Sequence, residues 1–227
     1  MLLVALILPL TVECKEDTDP SVSIPDNSFL NALIERGVDK NSDGIISQEE
    51  ASDIISLDVS DCNIADMSGI EAFVNLEYLD CAWNNLTSLN VSGNAALVNL
   101  NCYNNQLTAL NVFENTALTE LTCGWNHITA LNVSNNTVLK TLSCGWNPIE
   151  ILDVSGNKNL LELYCFHNQL TALGVSENIG LKYLDCSYNQ VVYLDVSNNT
   201  ALEDLQCWGN RLSALDVSNN IDMNYLG

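Results

Sequence analysis

The chain has 227 residues, enough for one ordinary domain or for one elongated repeat array with a small module attached. It carries 29 acidic residues against seven basic ones, a formal charge of −22, with no Lys/Arg-rich run, and this excludes nucleic-acid binding through phosphate neutralisation. An acidic surface suits cations, basic partners or neutral polar ligands such as glycans instead.

Residues Leu2 to Val12 are almost wholly apolar and stop at Glu13-Cys14-Lys15-Glu16-Asp17. This resembles a secretory apolar region followed by a lipoprotein cysteine. The resemblance implies a signal peptide and lipobox over 1–14, with Cys14 as the lipidated residue. A run this short cannot span a bilayer as a helix, which needs about 20 residues, so any membrane contact runs through the lipid anchor. The Lys-acidic string after Cys14 resembles the surface-export tag of some Gram-negative lipoproteins, and serves equally as a solvated tether. Residues 15–25 hold two prolines, acids and serines and little that packs, which predicts a flexible tether.

The folded part is expected from residue 26. Asn27 or Ser28 can cap a short helix through Phe29, Leu33 and Ile34, which Gly37 ends. Next comes Asp39-Lys40-Asn41-Ser42-Asp43-Gly44-Ile45-Ile46-Ser47-Gln48-Glu49-Glu50, which matches the EF-hand loop at every fixed place. Asp39, Asn41 and Asp43 stand where side-chain oxygens bind Ca2+, Ile45 offers its carbonyl, Ser47 acts through water, and Glu50 can bind in bidentate fashion. The alternative is a turn leading to a helix capped by Ser47 and Glu50, which needs neither Asp39 nor Asn41. A short exit helix over Ala51 to Ile55 completes an EF-hand-like cap, residues 26–55, that covers the open end of the repeat array after it.

From Leu76 to Met223 seven cysteines, Cys81, Cys102, Cys123, Cys144, Cys165, Cys186 and Cys207, recur every 21 residues, each followed three positions later by asparagine. Every unit reads Leu-x-x-Leu-x-Cys-x-x-Asn-x-apolar, and a second asparagine column runs from Asn94 to Asn220. The pattern resembles the leucine-rich repeat, in the form found in bacterial secreted or surface proteins, with Cys at an inward strand position and Asn at the turn. It implies a mainly β solenoid with a parallel ladder over 56–227, and inward asparagines bonded to the turns of neighbouring coils. Neighbouring cysteines would lie about 4.8 Å apart with parallel Cβ bonds, the wrong geometry for a disulfide, so they are expected as buried, unreactive thiols. Cys62 takes the asparagine place of the first coil and is expected to pack. Met223 to Gly227 begin another unit in register, so the sequence reads as a fragment of a longer array.

Outward positions around each Leu-x-Cys carry Tyr78, Trp83, Tyr103, Trp125, Trp146, Tyr164, Phe166, Tyr188 and Trp208, interleaved with Asp80, Glu120, Glu162, Asp185 and Asp204. Aromatic residues among carboxylates suit a protein or glycan ligand, and the same rings could merely cover the strand-to-turn corner. His127 and His167 occupy different columns, and no nucleophile elbow, phosphate loop or Cys-x-x-Cys occurs. These features describe a non-enzymatic secreted or surface-attached binding module with a calcium-stabilised cap. The other readings are a passive spacer for a further domain and the non-catalytic part of a larger surface enzyme.

Overall fold

The computed structural model describes residues 20–227, so the signal-peptide and Cys14 readings and residues 15–19 lie outside the described residues. Two short helices, α1 (Asn27–Glu35) and α2 (Gln48–Ser52), precede the strands. These are β1 (Ser56–Asp58), β2 (Tyr78–Asp80), β3 (Asn99–Asn101), β4 (Leu110–Asn111), β5 (Glu120–Thr122), β6 (Leu131–Asn132), β7 (Thr141–Ser143), β8 (Glu162–Tyr164), β9 (Tyr183–Asp185), β10 (Asp204–Gln206) and β11 (Tyr225–Leu226). Nine of them form one parallel sheet in the order β1-β2-β3-β5-β7-β8-β9-β10-β11, and β4 pairs with β6 on another side of the coil.

Register follows from the period. The central leucine of each strand sits opposite the next, from Leu57 beside Leu79 through Leu205 beside Leu226. A side-chain period of two turns that leucine and the following cysteine inward, and Leu79, Leu100, Cys102, Leu121 and Cys123 are wholly buried. Each full burial of a Leu or Val contributes about 1.5–3 kcal/mol, but only once a neighbouring coil covers it, which is why the units are stable as a stack. All eight cysteines among the described residues are unpaired, and the column members are buried. Burial pushes the Cys144 and Cys186 thiols up to about 12.

The first asparagine column ties each coil to its neighbour at both ends of the amide. Asn147 accepts from the backbone N–H of Ile128 at 2.9 Å and donates to the carbonyls of Cys123 and Cys144 at 3.0 and 3.2 Å. Asn136, in the second column, donates to Val112 and Asn115 carbonyls of the preceding coil, while its Oδ1, like those of its six column mates, has no protein partner.

The cap differs from the sequence expectation in three places. The N-cap of α1 is Asp26 rather than Asn27 or Ser28. One Asp26 oxygen accepts from Ser28 and Phe29 N–H at 2.7 and 3.1 Å, and the other from Ala65 and Asp66 of the first coil at 2.8 and 3.0 Å. Burial pushes the Asp26 carboxyl up, yet these four N–H groups hold it below its ordinary value. The exit helix begins at Gln48 rather than Ala51, because Ser47 and Glu50 form a capping box that starts it there. Residues 20–25 pack on the cap instead of hanging from it: Ser21 bridges antiparallel to Ser47, Val22 donates to Ile46 at 2.7 Å, and Val22 and Ile24 lie on the core. Gly69 (φ 103°) permits this, since a β-carbon there would meet the Ser23 carbonyl at 2.9 Å. Cys62 packs against the core as expected, half-buried, with the Arg36 guanidinium 3.3 Å from its sulfur.

Candidate functional site

The turn that aims each first-column asparagine inward forces the residue before it into the left-handed region. Its φ is 57° at Trp83, 52° at Asn104, 52° at Trp125, 56° at Trp146, 51° at His167, 50° at Tyr188 and 69° at Gly209. Such backbone costs a residue with a bulky side chain roughly 1–2 kcal/mol, and only Gly, Asn or Asp adopts it cheaply. Asn104 and Gly209 show that the coil accepts the cheap types, yet five of the seven units hold an aromatic ring here.

Stacking places these rings one coil apart. Trp125 and Trp146 have centroids 4.8 Å apart, Trp146 and His167 3.8 Å with planes at 13°, and His167 and Tyr188 4.0 Å at 21°. Trp208 closes the row edge-on to Tyr188 at 4.4 Å. Trp83 stands apart beyond Asn104 and leans on Tyr103 at 5.7 Å. Ring pairs of this kind contribute about 0.5–1.5 kcal/mol each, enough to offset part of the backbone cost. Because inner rings spend both faces on their neighbours, the column offers ring edges to a ligand. That disfavours the open platform on which a sugar would stack.

The nine aromatic residues singled out in the sequence therefore divide among four columns. Tyr78 and Tyr164 stand on the sheet at the first and third strand positions. Tyr103, Phe166 and Trp208 directly follow a cysteine, and Trp83, Trp125, Trp146 and Tyr188 occupy the left-handed turn. Tyr103 and Phe166 are seated by glycines: a β-carbon at Gly124 would meet the Tyr103 ring at 3.3 Å, and one at Gly145 the Phe166 ring at 3.0 Å. His167 belongs to the site and is missing from the sequence reading, although its offset of 21 from both Trp146 and Tyr188 marks it.

Beside the rings the sheet is acidic. Asn101 donates to Asp80 at 2.9 Å, Asn99 to Glu120 at 2.5 Å and Tyr164 to Glu162 at 3.2 Å, while the first and third strand positions carry no Lys or Arg. Burial, then the Glu162 charge, pushes the Tyr164 hydroxyl up to about 12, so it stays a neutral donor. A groove of about 320 Å³ runs beside Trp146, His167 and Tyr188, with Pro148 and Gln169 on its far wall.

In the Asp39–Glu50 loop, Asp39 accepts from Ser42 and Gly44 N–H at 2.7 and 2.9 Å, and Glu50 from Lys40 and Ser47 N–H at 2.8 and 2.9 Å. Burial pushes Glu50 up, but the N–H groups of Ser47 and Lys40 keep it below the usual range. Asp39 and Glu50 are thus two buried carboxylates, 9% and 7% exposed, and the ammonium of Lys40 turns away to Asp53 at 2.6 Å. A divalent cation fits that charge pattern, with Asn41, Asp43 and the Ile45 carbonyl as further oxygen donors. One Glu50 oxygen accepts from the Lys40 and Asn41 N–H groups and the other from the Ser47 N–H and hydroxyl, so a cation there would take the place of some of these bonds. Among the described residues, no group of three His, Cys, Asp or Glu side chains gathers as a metal cluster. None of their helices is long and apolar enough to cross a membrane. His127 lies in another column from the stacked His167, and the buried thiols reach neither.

No family model matches the chain. The functional domain of InlJ from Listeria monocytogenes, described as including a cysteine ladder, superposes with a TM-score of 0.79 at 42% identity, covering 80% of this chain and 41% of that one. Internalin J of Listeria monocytogenes serotype 4b (strain F2365) is 39% identical over 70 residues, 31% of this chain and 8% of that protein. Internalin C2 of Listeria monocytogenes strain 4b F2365 shares the fold at a TM-score of 0.70 and 22% identity, covering 92% of this chain and 87% of its own. This chain thus spans less than half of the InlJ domain and a small part of internalin J. Its fold is a leucine-rich-repeat solenoid with a parallel ladder and a cysteine column.

Proposed function

We propose that this chain is a secreted or surface-attached binding module that holds a protein ligand on its ladder face. The observation that carries this reading is the aromatic column from Trp125 to Tyr188, placed in left-handed turns where Asn104 and Gly209 show cheaper residues suffice. Ring contacts offset only part of this strain, and strained residues held at an exposed corner point to a function there. Edges of Trp, His and Tyr beside Asp80, Glu120, Glu162, Asp185 and Asp204 suit a partner with basic and amide groups. The similarity to internalins supports the same reading. Within it, the Asp39–Glu50 loop holds one calcium ion that rigidifies the cap, and Cys14 anchors the module by lipid.

Screening the purified chain against immobilised proteins and glycans, with and without calcium, tests the class of ligand. We expect protein partners whose binding weakens with salt, since exposed charges are screened beyond about 8 Å at physiological ionic strength. Binding confined to glycans would replace the protein reading. Silence on both panels would favour a spacer.

A further inference from the structure

Units that fold alike show, column by column, what the solenoid requires, so an exposed residue that departs from its column is not explained by folding. Seven positions after each column cysteine, five units hold Ser or Ala, but two hold Ile151 and Tyr193, which are 78% and 70% exposed. Eleven positions after it, six units hold Ser and one holds Phe113, 50% exposed. Nine positions after it stands Asn or Asp, except for Gly174. All these departures fall on one flank of the coil, away from the ladder face, around the β4–β6 pair and its continuation.

They build two apolar grooves. The first, of about 500 Å³, lies between Phe113 and Ile151 over Leu110, Ala130 and Leu131, with Asp153 at its rim. The second, of about 320 Å³, lies against Val192 and Tyr193 over Leu173 and Val175, opened by the missing side chain at Gly174 and rimmed by Asp195. Ile151 and Tyr193 sit in one column two coils apart, which at one strand spacing per coil is about 10 Å. Residues seven apart on a helix lie on one face about 10.5 Å apart. No Lys or Arg lines either groove, and the hydroxyls of Ser155 and Ser197 hold Asp153 and Asp195 below the usual carboxylate range.

From these observations we infer that this flank is a second docking surface, taking an amphipathic helix of a partner protein with apolar anchors seven residues apart and basic residues beside them. Charge selects the occupant. An anionic membrane or a second copy of a chain carrying −22 would bring negative charge against the rims. The helix-in-groove mode supplies the apolar contact.

The test uses a synthetic helical peptide with Leu at i, i+3, i+4 and i+7 and Lys elsewhere, against a scrambled peptide of equal composition, at about 0.15 M salt. We expect the amphipathic peptide to bind the wild-type chain at least about tenfold more tightly than the scramble. The variant Phe113→Ser/Ile151→Ala/Tyr193→Ala should remove that difference. It restores residue types that other coils already carry, so it should melt like wild type. Trp125→Asn/Trp146→Asn, on the ladder face, should leave the difference intact, so failure here is separable from failure of the ladder-face reading. Equal binding of both peptides, a difference that survives the triple reversion, or a concentration-dependent dimer that the reversion dissolves would each overturn the inference.

Discussion

Trp146 and His167 lie face to face, ring centroids 3.8 Å apart and planes within 13°, at the centre of a column whose backbone is left-handed at every unit. Two opposed costs meet there. Asparagine at Trp146 would lose two ring contacts, worth about 0.5–1.5 kcal/mol each, and regain roughly 1–2 kcal/mol of backbone strain. We expect the Trp146→Asn variant to fall within about 1 kcal/mol of wild type by chemical denaturation. A loss of several kcal/mol would make the column a structural zipper.

The asparagine column inside the coil should behave in the opposite way. Asn147→Leu strands the buried Ile128 N–H, a loss of about 1–3 kcal/mol, and takes one of two amide donors from each of the Cys123 and Cys144 carbonyls, which keep those of Asn126 and Asn168. Asn135, with one exposed bond at 3.3 Å, has little to lose. Thermal melts should place Asn147→Leu and Asn126→Leu far below wild type and Asn135→Leu close to it. Equal melting temperatures would contradict the coil geometry.

The buried thiols make stability fall in alkali. Unfolded cysteines titrate near about 8.5, whereas burial pushes Cys144 and Cys186 up to about 12 and holds Cys123 well above its ordinary value. The folded state therefore keeps protons that the unfolded state has lost. This contribution is complete below about pH 8.5 and is lost as pH rises through the folded values, at up to about 1.4 kcal/mol per pH unit for each thiol. Urea midpoints between about pH 8.5 and 10.5 should decline, and decline less steeply in Cys123→Ala. An unchanged slope would mean that this thiol is not buried.

Calcium should stabilise the chain modestly. For a dissociation constant of about 10⁻⁴–10⁻³ M, the range of extracellular modules, about 10 mM calcium adds roughly 1.4–2.7 kcal/mol. The Asp39→Ala/Glu50→Gln variant should lose this gain, while the amide introduced in place of the Glu50 carboxylate can still complete the capping box. A thermal shift with magnesium, barium and calcium alike, surviving in the variant, would reduce the loop to a capped turn.

Much of this molecule is legible in its sequence because a period of 21 fixes register, inward columns and strand direction at once. Asn147 and Cys144 need nothing beyond their spacing. The rest depends on contacts remote in sequence or on neighbours in a column. Asp26 caps α1 while serving Ala65 and Asp66 about forty residues on, and nothing local announces the second task. Ser21 and Val22 read as tether because their partners, Ser47 and Ile46, lie across the calcium loop. Taken singly, His167 is a lone titratable group, whereas its column assigns it to a stack of rings. The lateral grooves at Ile151 and Tyr193 emerge only when each residue is compared with its own column.

The central claim is that the turn column binds a partner and is not needed for folding. Its most direct measurement is the dissociation constant of the tightest protein partner for wild type and for Trp125→Asn/Trp146→Asn/His167→Asn, with melting recorded alongside. Loss of at least about tenfold in affinity, the scale of a single hot-spot residue or more, at an almost unchanged melting temperature is the expected result. Undiminished affinity, or a variant that no longer folds, would contradict it.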